Sequence, residues 1–186
     1  MSTSAETLEL ALGSLVAATE GRTPFTLGFL GTTGTDGGAR VRAVIIREVD
    51  RAAGRVMVAT NSLSLKVAEI GHQPRVALTL YDDDRGVQLR ILGNAEVVTD
   101  ESERRRAWER FSPNSRHLYA SRLVPGSPRP DQPVDGPGDD AMAMERFAWI
   151  SIDMTDLDWL DLSGDPHIRW QFTRDGSTWR GQEIVP

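Results

Sequence analysis

Residues 87–98 read Val-Gln-Leu-Arg-Ile-Leu-Gly-Asn-Ala-Glu-Val-Val, the clearest β-strand pattern in the chain. Successive side chains of a strand point to opposite faces, so this alternation gives the strand one apolar face and one polar face. The apolar face contains Val87, Leu89, Ile91, Ala95 and Val97. The hairpin spacing of this strand and the other predicted strands indicates an antiparallel sheet.

The same pattern extends to the rest of the chain. Further strands are predicted at Phe25–Thr33, Arg40–Val49, Arg55–Thr60, Val76–Tyr81, Phe147–Met154, Arg169–Thr173 and Ser177–Ile184. Asp-Gly pairs at Asp36 and Asp175 predict hairpin turns, and a change of apolar face near Thr155 predicts a bulge. Strands and helices do not alternate, so the predicted fold class is mainly β (α+β), an antiparallel β-barrel with peripheral helices.

Helices are predicted at residues 5–19, 64–72, 100–110 and 114–122. In the second of these, we expect Leu65, Ala68 and Ile70 to face inward. The segment Val124–Asp140 is rich in Pro and Gly and is predicted to be a flexible lid or a disordered excursion. No repeat or change of composition divides the chain, so a single domain over residues 1–186 is expected.

The composition argues against several classes of function. The chain has 186 residues and a net charge of −6, a sign that disfavours nonspecific nucleic-acid binding. The absence of Cys excludes disulfides and thiol nucleophiles, and the three His are too widely spaced for a metal-ligand motif. No apolar run approaches the length of a membrane span, and the polar N-terminus is unlike a signal peptide. We therefore expect no metal site, no membrane partner and a cytoplasmic location.

Lys66 is the only lysine among 21 basic residues. It follows Asn61-Ser62-Leu63-Ser64, where a predicted strand gives way to a predicted helix. Hydroxyl groups, free backbone N–H groups and an ammonium together form a suitable cradle for a phosphate. A solvated surface charge is the alternative interpretation, and position along the chain does not decide between the two.

Five short motifs follow one another along the chain: Arg42–Arg47 (Arg-Ala-Val-Ile-Ile-Arg), Ala59–Asn61 with Ser64–Lys66, Pro74–Leu78, Val87–Ala95, and Trp159 with Arg169. In this order they resemble the motifs of the pyridoxamine 5′-phosphate oxidase family. The C-terminal Ile-Val-Pro is also similar, and the resemblance covers roughly residues 22–186. It implies a split β-barrel that binds FMN at a homodimer interface.

The resemblance also implies a set of cofactor-binding residues: Arg42, Val44, Ile45, Arg47, Ala59, Thr60, Ser64, Lys66, Gln88, Trp159 and Arg169. Arg42 and Lys66 would bind the phosphate, with Thr60 and Ser64 nearby. The main chain of Val44 and Ile45 would contact the flavin ring. Strand parity places Arg42 and Arg47 on opposite faces, so both reach one ligand only if the strand twists or passes under the flavin.

Other positions have two interpretations each. Gln88 is either a hydrogen-bonding partner of the flavin or a solvated strand residue, and Trp159 is either a wall of the flavin site or a core aromatic. Arg169 either stabilises charge on reduced flavin or forms a surface ion pair with Asp161 or Asp165. His167 is the candidate for proton transfer, so His167 and Arg169 are the predicted catalytic residues.

The chain departs from the family pattern in places that concern the substrate. Leu65 stands where the family has a phosphate-binding Arg, and Arg47 stands where it has a Lys. Asp165-Pro166-His167 replaces the family's Arg-Leu-His, which reverses the charge that would meet the substrate. The family's substrate-phosphate ligands also lack an obvious match in Trp108–Arg116.

The sequence therefore predicts an FMN-dependent oxidoreductase with an unassigned small-molecule substrate. The enzyme would act on an amine or use a nicotinamide as its electron donor. A pyridoxamine 5′-phosphate oxidase with altered substrate ligands and a non-catalytic flavin-binding protein are the alternatives. Deazaflavin or haem in place of FMN is a further alternative that the related split barrels leave open.

Overall fold

The structure is a computed structural model that describes residues 3–131, 136 and 138–186. Its strands are β1 (Leu27–Thr33), β2 (Ala39–Asp50), β3 (Arg55–Asn61), β4 (Arg75–Asp82), β5 (Val87–Val97), β6 (Phe147–Asp161), β7 (Ile168–Asp175) and β8 (Thr178–Glu183). Its helices are α1 (Ser4–Glu20), α2 (Leu65–His72), α3 (Glu101–Glu109), α4 (Pro113–His117) and α5 (Asp140–Arg146). A short 3₁₀ turn, Pro24–Thr26, precedes β1.

The strands form an antiparallel barrel. They are ordered β3-β2-β1-β4-β5-β6-β7-β8, and an additional pairing of β3 with β6 closes a ring of six strands. The hairpin of β7 and β8 extends the sheet from the second half of β6. The main core fills the barrel and includes the inner residues of β5. The fold class predicted from the alternating pattern is therefore confirmed.

The barrel is open along part of one seam. β2 pairs with β1 from Ala39 to Ile45, but its pairing with β3 begins only at Ile46 and Val58. Beyond Val58, β3 leaves β2 and follows β6 as far as the pair Asn61 and Phe147. Among the residues that the structure describes, the edge of β2 before Ile46 therefore has no strand partner on its β3 side. This opening is the split of the barrel, and α2 follows directly from β3.

Helices α3, α4 and α5 accompany a second apolar cluster outside the barrel. Its aromatic members, Trp108, Tyr119, Phe147 and Trp149, are all buried, and Phe111 packs against them. Ring centroids in this cluster lie 5.2–6.4 Å apart, mostly in edge-to-face geometry that favours aromatic pairs.

The structure confirms most predicted elements and corrects others. The predicted bulge is present, because Leu92 pairs with Asp156 and Gly93 with Met154, which leaves Thr155 as the extra residue. The helix predicted at 114–122 ends earlier, at His117. Helix α5 begins at Asp140, the last residue of the predicted lid, and continues over residues 141–146, for which no element was predicted. Within the predicted lid, residues 132–135 and 137 lie outside the described residues.

The predicted inner face of α2 was largely wrong. Leu65 is 66 % exposed and Ala68 is exposed, whereas Glu69 and Ile70 are buried.

In the described residues, no helix combines the length and the apolar character needed to cross a membrane.

Candidate functional site

Arg42 lies at the open edge of β2, on the inner face of the sheet. It is opposite Leu30 in the pairing of β1 with β2, and its parity places it with the buried Val44 and Ile46. Its Nη1 donates to the carbonyl oxygen of Leu30 at 3.3 Å and also to Thr32 Oγ1. Its Nη2 donates to Glu69 Oε2 at 2.5 Å.

These bonds leave part of the Arg42 guanidinium free. An Arg side chain carries five N–H donors, of which two are on Nη1, two on Nη2 and one on Nε. Nη1 has two partners and Nη2 has one, so within the described residues Nε and the second Nη2 hydrogen have none. Nε and Nη2 are neighbouring atoms of the guanidinium, and such a pair of donors matches two oxygens of a phosphate or carboxylate.

Glu69 is the buried anion of this region. It is 4 % exposed, and its Oε2 accepts from Thr32 Oγ1 at 2.6 Å as well as from Arg42. The three groups come from three elements, β1, β2 and α2. They form a compact polar cluster at the open seam of the barrel.

Lys66 lies on the same helix, three residues before Glu69. Its Nζ donates to Thr60 Oγ1 at 2.9 Å, and Thr60 Oγ1 is 3.2 Å from Ser64 Oγ. Burial lowers the pKa of Lys66, and the charge of Arg42 lowers it further, while Glu69 opposes the shift. The effect of the Arg42 charge on Lys66 indicates that these two cations lie in one region.

The site has the electrostatics of an anion cradle. With Arg42 and Lys66 charged and Glu69 ionised, the three groups carry one net positive charge at the mouth of the core. No salt bridge joins Lys66 to a carboxylate in the described ranges, so two of its three donors remain for a ligand. Partly buried cations of this kind attract anions much more strongly than solvated ones do.

The predicted main-chain contacts also lie at the open seam. Val44 pairs with Gly28 and Ile45 with Leu27, so both residues are bonded to β1. Neither residue has a partner in β3, where pairing starts at Ile46. Ala59 is half-buried beside the second cluster, one residue before Thr60.

Arg47 points away from the cradle, as strand parity predicts. It is the extra residue of a bulge between Ile46 and Glu48, and its guanidinium lies 4.9 Å from the centre of the Phe111 ring. Arg47 and Ile45 also line an open cleft of about 710 Å³ between β2 and the end of α1.

The second group of predicted residues lies on the outer face of the barrel. Gln88 pairs with Leu160 and Leu160 with Arg169, so these three form one row across β5, β6 and β7. Arg169 donates to both carboxylate oxygens of Asp158, at 3.1 and 2.9 Å, and Arg90 donates to one of them at 2.6 Å.

Asp158 anchors this outer group. It is 8 % exposed, and although burial alone would raise its pKa, the hydrogen bonds from Arg169 and Arg90 lower the pKa below its ordinary value. Arg169 thus forms the ion pair that the sequence left open, but with Asp158 and not with Asp161 or Asp165.

Trp159 and His167 occupy contrasting environments. Trp159 is 4 % exposed and packs edge-to-face against Phe25, with ring centroids 6.3 Å apart. Of the two roles considered for it, the structure of one chain favours the core aromatic, because its ring has almost no free face. His167 is exposed in the connection between β6 and β7.

The structure brings Arg42, Thr60, Ser64 and Lys66 together, while Gln88 and Arg169 form a separate group on the other face of the sheet. Sequence reasoning missed the partners of both groups: Thr32 and Glu69 for the first, Arg90 and Asp158 for the second. Glu69 follows Lys66 by three residues, which is a helical neighbour spacing and the one signal that was available.

Comparison with known proteins identifies the family of this chain. The family model described as pyridoxamine 5′-phosphate oxidase matches residues 17–145. The chain belongs to this family. One relative is pyridoxine/pyridoxamine 5′-phosphate oxidase 2 of Arabidopsis thaliana. It is 24% identical over 176 residues, which cover 84% of this chain and 85% of the relative.

Two solved structures are similar to this member of the family. A pyridoxamine 5′-phosphate oxidase-related, FMN binding protein of Nostoc punctiforme has a TM-score of 0.82 at 21% identity, with all of both chains covered. PhzG of Burkholderia lata, solved with tetrahydrophenazine-1-carboxylic acid, has a TM-score of 0.71 at 25% identity, covering 97% of this chain and 91% of PhzG. The first likeness concerns the fold alone.

Proposed function

We propose that the chain is an FMN-dependent oxidoreductase whose cradle of Arg42 and Lys66 binds the FMN phosphate. The observation that carries this proposal is the pair of unused donors on Arg42, directed from the open seam of the barrel and accompanied by the ammonium of Lys66. Membership of the pyridoxamine 5′-phosphate oxidase family supports the same cofactor.

The residues fit this cofactor chemically. An FMN phosphate carries between one and two negative charges near neutral pH, and the cradle carries one net positive charge around several hydrogen-bond donors. Hydrogen bonds between charged groups contribute ~1.5–3 kcal/mol each, so the phosphate is the natural anchor of the affinity. Leu65, in place of the family's Arg, makes the remaining two cations more important.

Bound FMN supplies hydride transfer, and the chain's own residues bind and orient the reactants. Arg42 and Lys66 hold the phosphate, while the unpaired edge of β2 at Val44 and Ile45 offers backbone groups to the polar edge of the ring. His167, exposed beside β7, is the candidate to hold a proton for the substrate.

The proposal includes a homodimer that completes the site. Within one chain the cradle opens on the seam of the barrel, whereas Gln88 and Arg169 lie on the outer face, so one ligand cannot readily touch both groups. If the outer faces of two copies pack together, the second copy supplies Gln88 and Arg169 to the cradle of the first. An apolar row crosses four strands on this outer face: Val41, Gly31, Ala77 and Leu92.

The exposure of this face supports the same conclusion. Val41 is 70 % exposed, and the neighbouring Phe29 is 50 % exposed. Apolar side chains clustered on a solvent-facing sheet are typical of surfaces that associate. Burial of this row against a second chain would remove it from water, and would exclude water from the cofactor.

The substrate is less well defined than the cofactor. Asp165 brings a negative charge where the family's substrate-binding segment has a positive one, which disfavours a second phosphorylated ligand at that position. Arg22 and Arg47 both line the open cleft and are candidate partners for an acidic substrate group. Oxidation of pyridoxamine 5′-phosphate by an altered substrate site is the second candidate function, which the curated relative favours.

The test is direct. The purified protein should be yellow, and the mass of the released chromophore should equal that of FMN. Anaerobic mixing with NADH or NADPH should bleach the flavin if a nicotinamide is the donor, and pyridoxamine 5′-phosphate should yield peroxide in air if the second candidate is correct. A protein that neither contains nor takes up FMN would refute the proposal.

A further inference from the structure

We infer that Glu69 is a positioning residue, which fixes the guanidinium of Arg42 so that its Nε side faces the phosphate. The inference rests on the proposed FMN site and adds a residue to it. Glu69 does not touch the ligand in this account; it acts through Arg42.

Glu69 is buried, so its charge needs partners within the protein. A carboxylate that is 4 % exposed loses most of its hydration, which is costly unless the charge is paired and hydrogen-bonded. Glu69 Oε2 receives a hydrogen bond from Arg42 and another from Thr32. Its position is therefore fixed by two other elements of the barrel.

The contact with Glu69 also fixes the orientation of the Arg42 guanidinium. Both hydrogens of Nη1 and one of Nη2 are bonded to Leu30, Thr32 and Glu69. These bonds fix the plane of the guanidinium from its Nη1 and Nη2 end. A guanidinium fixed in this way loses little conformational entropy when it binds an anion. Without Glu69, Arg42 would keep its charge but not its direction.

A purely structural role for Glu69 predicts something different. In that case the Glu69–Arg42 pair would only attach α2 to the barrel, and its loss would lower stability without favouring one flavin over another. α2 already has an apolar anchor in Ile70, which is 3 % exposed in the main core. The preference for FMN over riboflavin separates the two roles, because riboflavin lacks the phosphate.

The experiment measures the dissociation constants of FMN and riboflavin for apoprotein prepared from the wild type, Glu69→Ala and Glu69→Gln. In Glu69→Ala, FMN should bind about tenfold or more weakly, while riboflavin changes by less than about twofold. In Glu69→Gln, the amide oxygen still accepts from Arg42 and Thr32, so FMN affinity should stay within about threefold of the wild type.

Asp82→Asn provides the matched control. Asp82 is also a buried carboxylate, 3 % exposed and paired with Arg85, but it lies on β4, outside the cradle. Its substitution should lower the melting temperature and leave the ratio of FMN to riboflavin affinity unchanged.

The outcomes distinguish the inference from the function on which it rests. If the wild type does not prefer FMN to riboflavin, the proposed phosphate site itself fails. If the wild type prefers FMN and Glu69→Ala keeps that preference, only the positioning role is refuted. Should Glu69→Ala not fold, Thr32→Val decides: the inference expects about threefold or greater weakening for FMN alone, and an unchanged ratio would overturn it.

Discussion

Lys66 Nζ donates to Thr60 Oγ1 at 2.9 Å across the junction between β3 and α2. This contact holds the ammonium at the open seam of the barrel, where its pKa is lowered by burial and by Arg42. A partly buried cation held by a hydroxyl and free of a carboxylate partner in the described residues is suited to an anionic ligand.

Replacement of Lys66 should weaken FMN binding selectively. We expect Lys66→Ala to raise the dissociation constant of FMN about tenfold or more, equivalent to ~1.4 kcal/mol or more, because a charged hydrogen bond is lost. Titration followed by flavin fluorescence measures this. Arg105→Ala, on the exposed face of α3, is the control and should bind FMN as the wild type does. Equal affinities for Lys66→Ala and the wild type would contradict the phosphate assignment.

The lowered pKa of Lys66 predicts a pH dependence of FMN affinity. Affinity should fall as the pH rises through the lowered pKa, at less alkaline pH than an ordinary lysine would require, because the phosphate is attracted by the charged form. Lys66→Arg, which stays charged, should remove this decline. Dissociation constants measured between about pH 7 and pH 10.5 test the prediction, and a wild type as insensitive to pH as Lys66→Arg would contradict it.

The same shift affects the apoprotein with the opposite sign. Between the lowered pKa and the ordinary value near 10.5, the unfolded chain binds more protons at Lys66 than the folded chain does. The free energy of unfolding contributed by this residue therefore rises with pH across that window. Below the lowered pKa, the cost of burying the charged lysine is present in full. Urea unfolding of the wild type and Lys66→Met at several pH values isolates this contribution.

Substitution on the outer apolar row should disrupt the proposed dimer and the cofactor site together. Val41→Glu places a charge in the row of Val41, Gly31, Ala77 and Leu92, so we expect monomers and a large loss of FMN. Leu10→Glu, on the exposed face of α1, is the matched control and should remain dimeric. Light scattering combined with gel filtration gives the mass, and a Val41→Glu dimer that retains FMN would exclude this interface.

Asp158 should stabilise the outer face of the barrel. Asp158→Asn removes the common partner of Arg90 and Arg169, and we expect unfolding to become easier by roughly 1–3 kcal/mol. The pair of Arg180 and Asp175 is largely solvated, so Arg180→Ala should change stability little. The pKa of Asp158 is lowered, so its contribution is present above the ordinary Asp pKa and is lost as the pH falls through the lowered value. Denaturant unfolding at neutral and acidic pH measures both effects.

The barrel could be predicted largely from local patterns. The alternation in β5, the Asp-Gly turns and the bulge at Thr155 are short-range signals, and each element they predicted is present. The closure of the ring could not be predicted in the same way. The pairing of β3 with β6 joins residues nearly a hundred positions apart, and no periodicity within one strand specifies its partner.

The site was predicted only in part for a related reason. The resemblance to the oxidase family indicated Arg42 and Lys66 as phosphate ligands, and the structure brings them to one region. Apolar periodicity, however, assigned Leu65 and Ala68 to the inner face of α2. The inner face in fact carries Glu69, because a buried carboxylate is favourable there only when Arg42 and Thr32, from distant strands, converge on it.

A crystal structure of the protein with FMN tests the central claim most directly. The account predicts that the phosphate lies at the open seam between β2 and β3, with its oxygens within hydrogen-bonding distance of Arg42 Nε and Lys66 Nζ. It also predicts that Arg42 keeps its bond to Glu69. A phosphate bound elsewhere, with Arg42 and Lys66 both unoccupied, would contradict the account.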